Sequence, residues 1–280
     1  MRIANVAGRL ALGAGDRWID VANASGGVFS ADPMAVYGRW DEFRAWAATV
    51  DDSTASAHVI TGALENPVPS PRQLIAIGLN YREHAIESNL AIPEHPVVFA
   101  KFQSSLTGPD STVTLPSDGI DWEVEMVVVI GTSASNVALA DAWDHVAGLT
   151  IGQDLSWRDV QTRGPAPQFS IGKSYPGFSP VGPVVVTPDE FADRDDLAIS
   201  CALDGEVLQD GRTGDLIFSV AELIHRLSGS LTLYPGDLIF TGTPKGVGMG
   251  RTPKRFLVPG TLVSSVEGIG DLSITLVPAS

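Results

Sequence analysis

Residues 121–131 read DWEVEMVVVIG, two glutamates at the mouth of an apolar run. On a strand, side chains alternate faces, so Glu123 and Glu125 would share one side, roughly 7 Å apart along the backbone. Like charges so close repel unless something positive sits between them. A third acid, Asp154 of IGQDLSW, ends another apolar run. Three carboxylates on strand ends could hold a hard divalent cation such as Mg²⁺ or Mn²⁺. The same E-x-E spacing also suits the solvent face of an edge strand, and spacing leaves both open. In LNYREHAIESN, His84 and Glu87 stand three apart on a predicted helix, where such residues are neighbours. A carboxylate beside an imidazole orients it and raises its pKa, which makes a base able to take a proton from water; a surface pair is the plain alternative. Lys173 lies in FSIGKSYPGF, a Gly/Pro-bounded loop where a lysine is ordinarily a solvated charge.

Other motifs fail on spacing. IGKS at 171–174 would need a glycine at 167 to be a phosphate-binding loop, and Pro167 stands there. GVGMG at 246–250 lacks the dinucleotide-turn spacing and reads as a flexible loop, while GFSPVG has one residue too many for a serine-nucleophile elbow. The 280 residues are 44% hydrophobic and 18% charged, which suits a folded chain of enzyme size. With 18 Lys and Arg against 33 Asp and Glu, the net charge of -15 argues against nucleic acid as a partner. It would also repel a small anionic substrate unless a local positive centre, such as a metal ion, held it. Cys201 stands alone, so internal disulfides and a thiolate zinc cluster are excluded. The N-terminal apolar stretch is broken by Gly8, Arg9 and Gly13, and no apolar run approaches the roughly 20 residues of a membrane span. The expectation is a cytoplasmic protein with no membrane partner.

Positioning these groups requires a β-rich scaffold. Pro67, Pro69 and Pro71 interrupt both helix and central strand, which predicts a boundary between a small N-terminal domain, 1–69, and a catalytic domain, 70–280. Short β-rich runs follow: QLIAIGLN, PVVFAKF, EVEMVVVIG, VAGLTIGQDL, GPVVVTP, LAISCALDG and DLIFTGTP. Helical patterns occur in PMAVYGRWDEFRAWAATV, YREHAIESN and SVAELIHRLSG, the last capped by Gly229. Without regular strand-helix alternation, the prediction is a mixed α/β, largely antiparallel architecture.

Taken together, IGLNYREHA, VVFAKFQSSLTGP, DWEVEMVVVIG, GQDLSWRDVQ, IGKSYPGFSPVGP and DLIFTGTPKGVG resemble the fumarylacetoacetate hydrolase family, in family order over residues 70–270 or so. The resemblance implies a mixed β-sandwich roll, usually a homodimer, with a small N-terminal domain. It implies Mg²⁺ or Mn²⁺ held by Glu123, Glu125 and Asp154, a dyad of His84 and Glu87, and an active-site Lys173. Arg158, Gln161 and Thr243 match positions that contact substrate. Relatives of this kind act on 2-oxo acids, which implies metal-dependent hydrolysis of a carbon-carbon bond in an acylpyruvate or 2,4-diketo acid. A decarboxylase or isomerase of the same family, and a non-catalytic 2-oxo acid binding protein, are the alternatives. The segment ESNLAIPEHP would belong to a lid, and Arg251, Lys254 and Arg255 would be either solvated or near substrate.

Overall fold

In the computed structural model of the protein, which describes residues 1–279, the apolar run forms the strand Val124–Ile130, buried at every position. It is interior to its sheet: Val146–Gln153 pairs antiparallel on one side and Leu238–Phe240 on the other. Covered on both faces, such a strand has no solvent side to make polar, which accounts for its continuous apolar run. Val124, Met126, Val128 and Ile130 enter one apolar cluster, and Val127 and Val129 enter another on the opposite face.

Among the described residues, this pair of strands belongs to a twelve-stranded mixed sheet. In one direction it continues through Ser179–Val186 and Arg2–Val6 to Arg9–Ala14 and Arg17–Asp20; in the other, through Leu74–Gly78 to Val97–Ala100. A five-stranded sheet, Glu206–Arg212, Ala198–Leu203, Gly260–Val266, Gly270–Pro278 and Asp110–Leu115, shares the first apolar cluster with it. Most pairings are antiparallel, as expected; Leu238–Phe240 runs parallel to Leu74–Gly78, and Gly270–Pro278 parallel to Asp110–Leu115. The whole is mixed α/β and β-rich, with 23% helix and 35% strand.

Residues 1–69 supply the helix Trp40–Ala47, whose Trp40 and Phe43 cover the second cluster, with the Phe29 ring edge-on to Phe43 at 5.4 Å. Their strand Arg2–Val6 joins the large sheet at Arg2↔Val186 and Ile3↔Val185. The predicted helix near 220 is Val220–Ser228, opened by a capping box of Ser219 and Glu222 and ended at Gly229. Cys201 is buried, and burial pushes its thiol up to about 12, which leaves it unreactive. No helix among the described residues is long and apolar enough to cross a membrane.

Beside Glu125 the sheet packs too tightly for any side chain. Gly152 sits across the ladder from that residue, and a Cβ there would lie 2.6 Å from Phe240 Cε1 and 2.7 Å from Val127 Cγ2. Real side chains do not approach so closely, so Gly152→Ala should lower stability by about 1–3 kcal/mol through overpacking. Urea unfolding would read this as a lower midpoint at unchanged slope; a wild-type midpoint would refute the packing argument.

Candidate active site

Register brings the three acids together. Glu125 is paired with Gly152, and the Asp154 amide donates to the Glu123 carbonyl at 2.9 Å, so both pairs project from one face of the sheet. Oxygens of Glu123, Glu125 and Asp154 all lie within 4.8 Å of one another, and all three residues are buried. The edge-strand alternative therefore falls, because the strand that carries Glu125 has neighbours on both sides.

Three cations converge on the same acids. Lys173 Nζ donates to Glu123 Oε2 at 2.7 Å, Asp154 Oδ2 at 2.6 Å and Ser156 Oγ at 2.8 Å. The solvated-loop expectation for Lys173 is corrected: it ends the short helix Phe169–Gly172 and is buried, because its three partners replace water. Arg158 Nη2 donates to Glu123 Oε1 at 2.7 Å, its Nε to Asp121 Oδ2 at 2.9 Å and its Nη1 to Gln161 Oε1 at 3.0 Å. Lys101 Nζ pairs with Asp154 Oδ1 and donates to the Phe178 carbonyl at 3.0 Å. The sequence reading missed Lys101, Asp121 and Ser156. A lone lysine inside the apolar run PVVFAKF was the available signal for the first.

Four carboxylates, those of Asp121, Glu123, Glu125 and Asp154, thus face three cations, so the buried cluster carries one surplus negative charge when fully ionised. The surplus settles on Glu125. Burial and the charges of Asp154 and Glu123 raise its pKa well above the usual carboxylate range. Burial pushes Glu123 the same way, but Lys173 and Arg158 outweigh it and hold Glu123 down to about 2. Burial lowers Lys101 against the pull of Asp154, whereas for Lys173 the charges of Asp154 and Glu123 overcome burial and raise it. Glu125 Oε2 accepts from the Gly242 amide at 2.7 Å, and no other hydrogen bond reaches this carboxylate among the described residues. Gly242 is required there: its φ is +102°, and a Cβ would lie 2.8 Å from that of Asn80. An all-oxygen, buried donor set with surplus negative charge fits a hard divalent cation, which Glu123, Glu125 and Asp154 would hold.

The dyad forms on the predicted helix, Arg82–Glu87. His84 Nδ1 lies 2.7 Å from Glu87 Oε1, and Glu87 Oε2 accepts from the Gly246 amide at 2.9 Å. This partner assigns the proton to Nδ1 and leaves Nε2 as the free base. The GVGMG segment, expected to be flexible, is clamped instead: Gly248 and Met249 amides donate to Asp121 at 2.7 and 2.9 Å. A cavity of about 430 Å³ is lined by His84, Glu123, Glu125, Lys173, Arg158 and Gln161, and by Thr243. Asp154 and Glu87 stand behind this lining, bonded to Lys173 and His84. Thr243 Oγ1 accepts from Gln209 Nε2 at 2.7 Å. Arg251 and Arg255 line no part of the cavity; the first bonds the Leu208 carbonyl at 2.7 Å, and the second pairs with Glu206.

Known proteins share this arrangement of sequence and fold. The family model of the fumarylacetoacetate (FAA) hydrolase C-terminal region matches residues 73–277. The mitochondrial oxaloacetate tautomerase FAHD2A of Homo sapiens is 44% identical over 207 residues, which cover 73% of this chain and 66% of the human protein. The match therefore spans just under two thirds of that relative's length. A Mycobacterium smegmatis crystal structure, provisionally called an HpcE protein, is 50% identical with a TM-score of 0.94, covering 100% of both chains. The 2-hydroxyhepta-2,4-diene-1,7-dioate isomerase of Mycobacterium marinum is 28% identical with a TM-score of 0.74, covering 100% of this chain and 99% of its own. Maleylpyruvate hydrolase from Sphingobium sp. SYK-6, solved with manganese(II) and pyruvate, is 26% identical with a TM-score of 0.81, covering 100% of both chains. With its matched region running through every group of the site from His84 to Thr243, this chain belongs to the fumarylacetoacetate hydrolase family.

Proposed function

We propose that this protein is a metal-dependent enzyme of 2-oxo acids that moves a proton at carbon 3, beside the keto group, and so interconverts keto and enol forms. The observation that carries the reading is His84, oriented by Glu87, opening onto the same cavity as the buried carboxylate cluster. The human relative named an oxaloacetate tautomerase supports this choice among the reactions of the family. When bound, a divalent ion would supply a Lewis acid for the keto oxygen and carboxylate of the substrate. Arg158 and Gln161, which line the cavity, orient that carboxylate. His84 Nε2 carries the proton between carbon 3 and the keto oxygen, while Glu87 stabilises the imidazolium that forms in between. Lys173 serves as a fixed positive charge rather than a proton donor, since its three N–H groups are already engaged and its pKa is raised.

A second reading is hydrolysis of an acylpyruvate, supported by the same free Nε2, which could activate a water against the distal carbonyl. The maleylpyruvate hydrolase with manganese and pyruvate supports the same choice of ion and head group.

Both readings are separated by one assay. Enol decay of oxaloacetate and of phenylpyruvate, and pyruvate release from acetylpyruvate, would be followed with Mg²⁺, with Mn²⁺ and with EDTA. Accelerated enol decay that EDTA abolishes is the expected result; metal-dependent pyruvate release would move hydrolysis to first place, and no metal-dependent turnover of any of the three would sink the proposal. His84→Ala should reduce kcat by about 100-fold or more while Mn²⁺ binding is retained. An unchanged kcat would remove the base role from His84.

A further inference from the structure

A buried glutamine that does not line the cavity controls a group that does. Gln209 lies on Glu206–Arg212, the strand at one edge of the five-stranded sheet. A bulge leaves Leu208 without a partner across the ladder, between Gln209↔Cys201 and Val207↔Ala202, so Leu208 and Gln209 are both buried although adjacent. Two glycines let the segment 244–246 lie against this strand: a Cβ on Gly246 would lie 2.6 Å from the Leu208 carbonyl oxygen, and one on Gly211 2.8 Å from Pro244 Cβ. Gln209 Oε1 accepts from the Val124 amide, between Glu123 and Glu125, at 3.0 Å. Its Nε2 donates to the Pro244 carbonyl at 2.8 Å and to Thr243 Oγ1 at 2.7 Å. A backbone amide can only donate and a backbone carbonyl only accept, so these contacts fix which way the glutamine amide is turned. The Thr243 hydroxyl is therefore the acceptor in its bond with Gln209, and its own proton points elsewhere. Thr243 lines the cavity, and no acceptor among the described residues takes that proton. Gln153 makes the comparable contact to the Glu123 amide at 2.9 Å, but its Nε2 turns away to Ser264 and Cys201.

Resting on the reading that the cavity takes 2-oxo acids, we infer that Gln209 is a positioning residue that makes Thr243 a hydrogen-bond donor to the oxygens of the substrate. An anionic oxygen, of a carboxylate or an enolate, gains most from such a donor, because a charge-assisted bond is stronger than a neutral one. The same amide holds Thr243 next to Gly242, whose N–H binds Glu125, and so keeps the donor at a fixed spacing from the carboxylate cluster.

Binding tests this without requiring turnover. Pyruvate would be titrated into the Mn²⁺-loaded protein and followed by the relaxation that Mn²⁺ imposes on its methyl protons, in the wild type, Thr243→Val, Gln209→Met and the double variant. Thr243→Val keeps the shape and removes the donor, and should weaken pyruvate about 10-fold while Mn²⁺ affinity changes less than about threefold. Gln209→Met should weaken pyruvate about 3- to 10-fold, and the double variant should bind it no more weakly than Thr243→Val alone. A merely structural role for Gln209 would cost as much affinity in the Thr243→Val background as in the wild type, and that additivity would overturn the inference. Wild-type affinity for pyruvate in either single variant would overturn it as well. Should Gln209→Met not fold, Gln209→Glu enters the same cycle: it keeps the Val124 contact, but its carboxylate accepts from Thr243 and draws the proton out of the cavity. Its effect should shrink in the Thr243→Val background, and an equal loss in both backgrounds would count against the inference. If the wild type itself fails to bind pyruvate, the 2-oxo acid reading falls, and this inference with it.

Discussion

Buried negative charge in excess of its partners organises this molecule. Glu123, Glu125 and Asp154 are gathered where burial leaves little water to screen them, and three protein cations leave Glu125 without an ion partner. Isolated charges are costly in such surroundings, so the cluster depends on a cation supplied from outside or on a proton retained by Glu125. The rest of the site can be understood from that constraint. Lys173 and Arg158 bridge acids that would otherwise repel, and each bridge fixes the position of a cavity-lining side chain.

The scaffold makes the cluster possible by keeping it at the end of a sheet whose two faces are separately filled. Val127 and Val129 continue the Glu123 and Glu125 face into the second apolar cluster, so the acids mark where the apolar stripe stops and the cavity begins. Asp121 extends the order outward. It binds Arg158 on one side and the Gly248 and Met249 amides on the other, and the neighbouring Gly246 amide holds Glu87. Glu123 and Asp154 are thereby tied to the base through hydrogen bonds joined by the short backbone stretch 246–248, although these groups come from parts of the chain far apart in sequence.

Much of this was legible beforehand, for definable reasons. E-x-E at the head of an apolar run specifies one face of a strand, and H-x-x-E specifies neighbours on a helix; both patterns are local, and the structure keeps both. Asp154 could be anticipated because it ends a strand. What remained hidden depends on long-range partners. Nothing near Lys101 in the chain indicates that Asp154 will meet it, and Lys173 looks solvated until Glu123, Asp154 and Ser156 are placed around it. Clamping of GVGMG is equally invisible, since its anchor, Asp121, is supplied by a different part of the chain. The apolar part of the cavity lining is assembled from segments around 79, 90, 99, 167–169 and 249, so no single motif announces it.

The central claim is that Glu125, with Glu123 and Asp154, completes a divalent-cation site. Calorimetric titration of Mn²⁺ into wild-type protein and into Glu125→Gln tests it most directly, because the substitution keeps the shape and removes only the ligand charge. The account predicts saturable binding at one site in the wild type and affinity weakened by at least about 10-fold in the variant. Absence of saturable binding, or a Glu125→Gln protein that binds Mn²⁺ as tightly as the wild type, would contradict it.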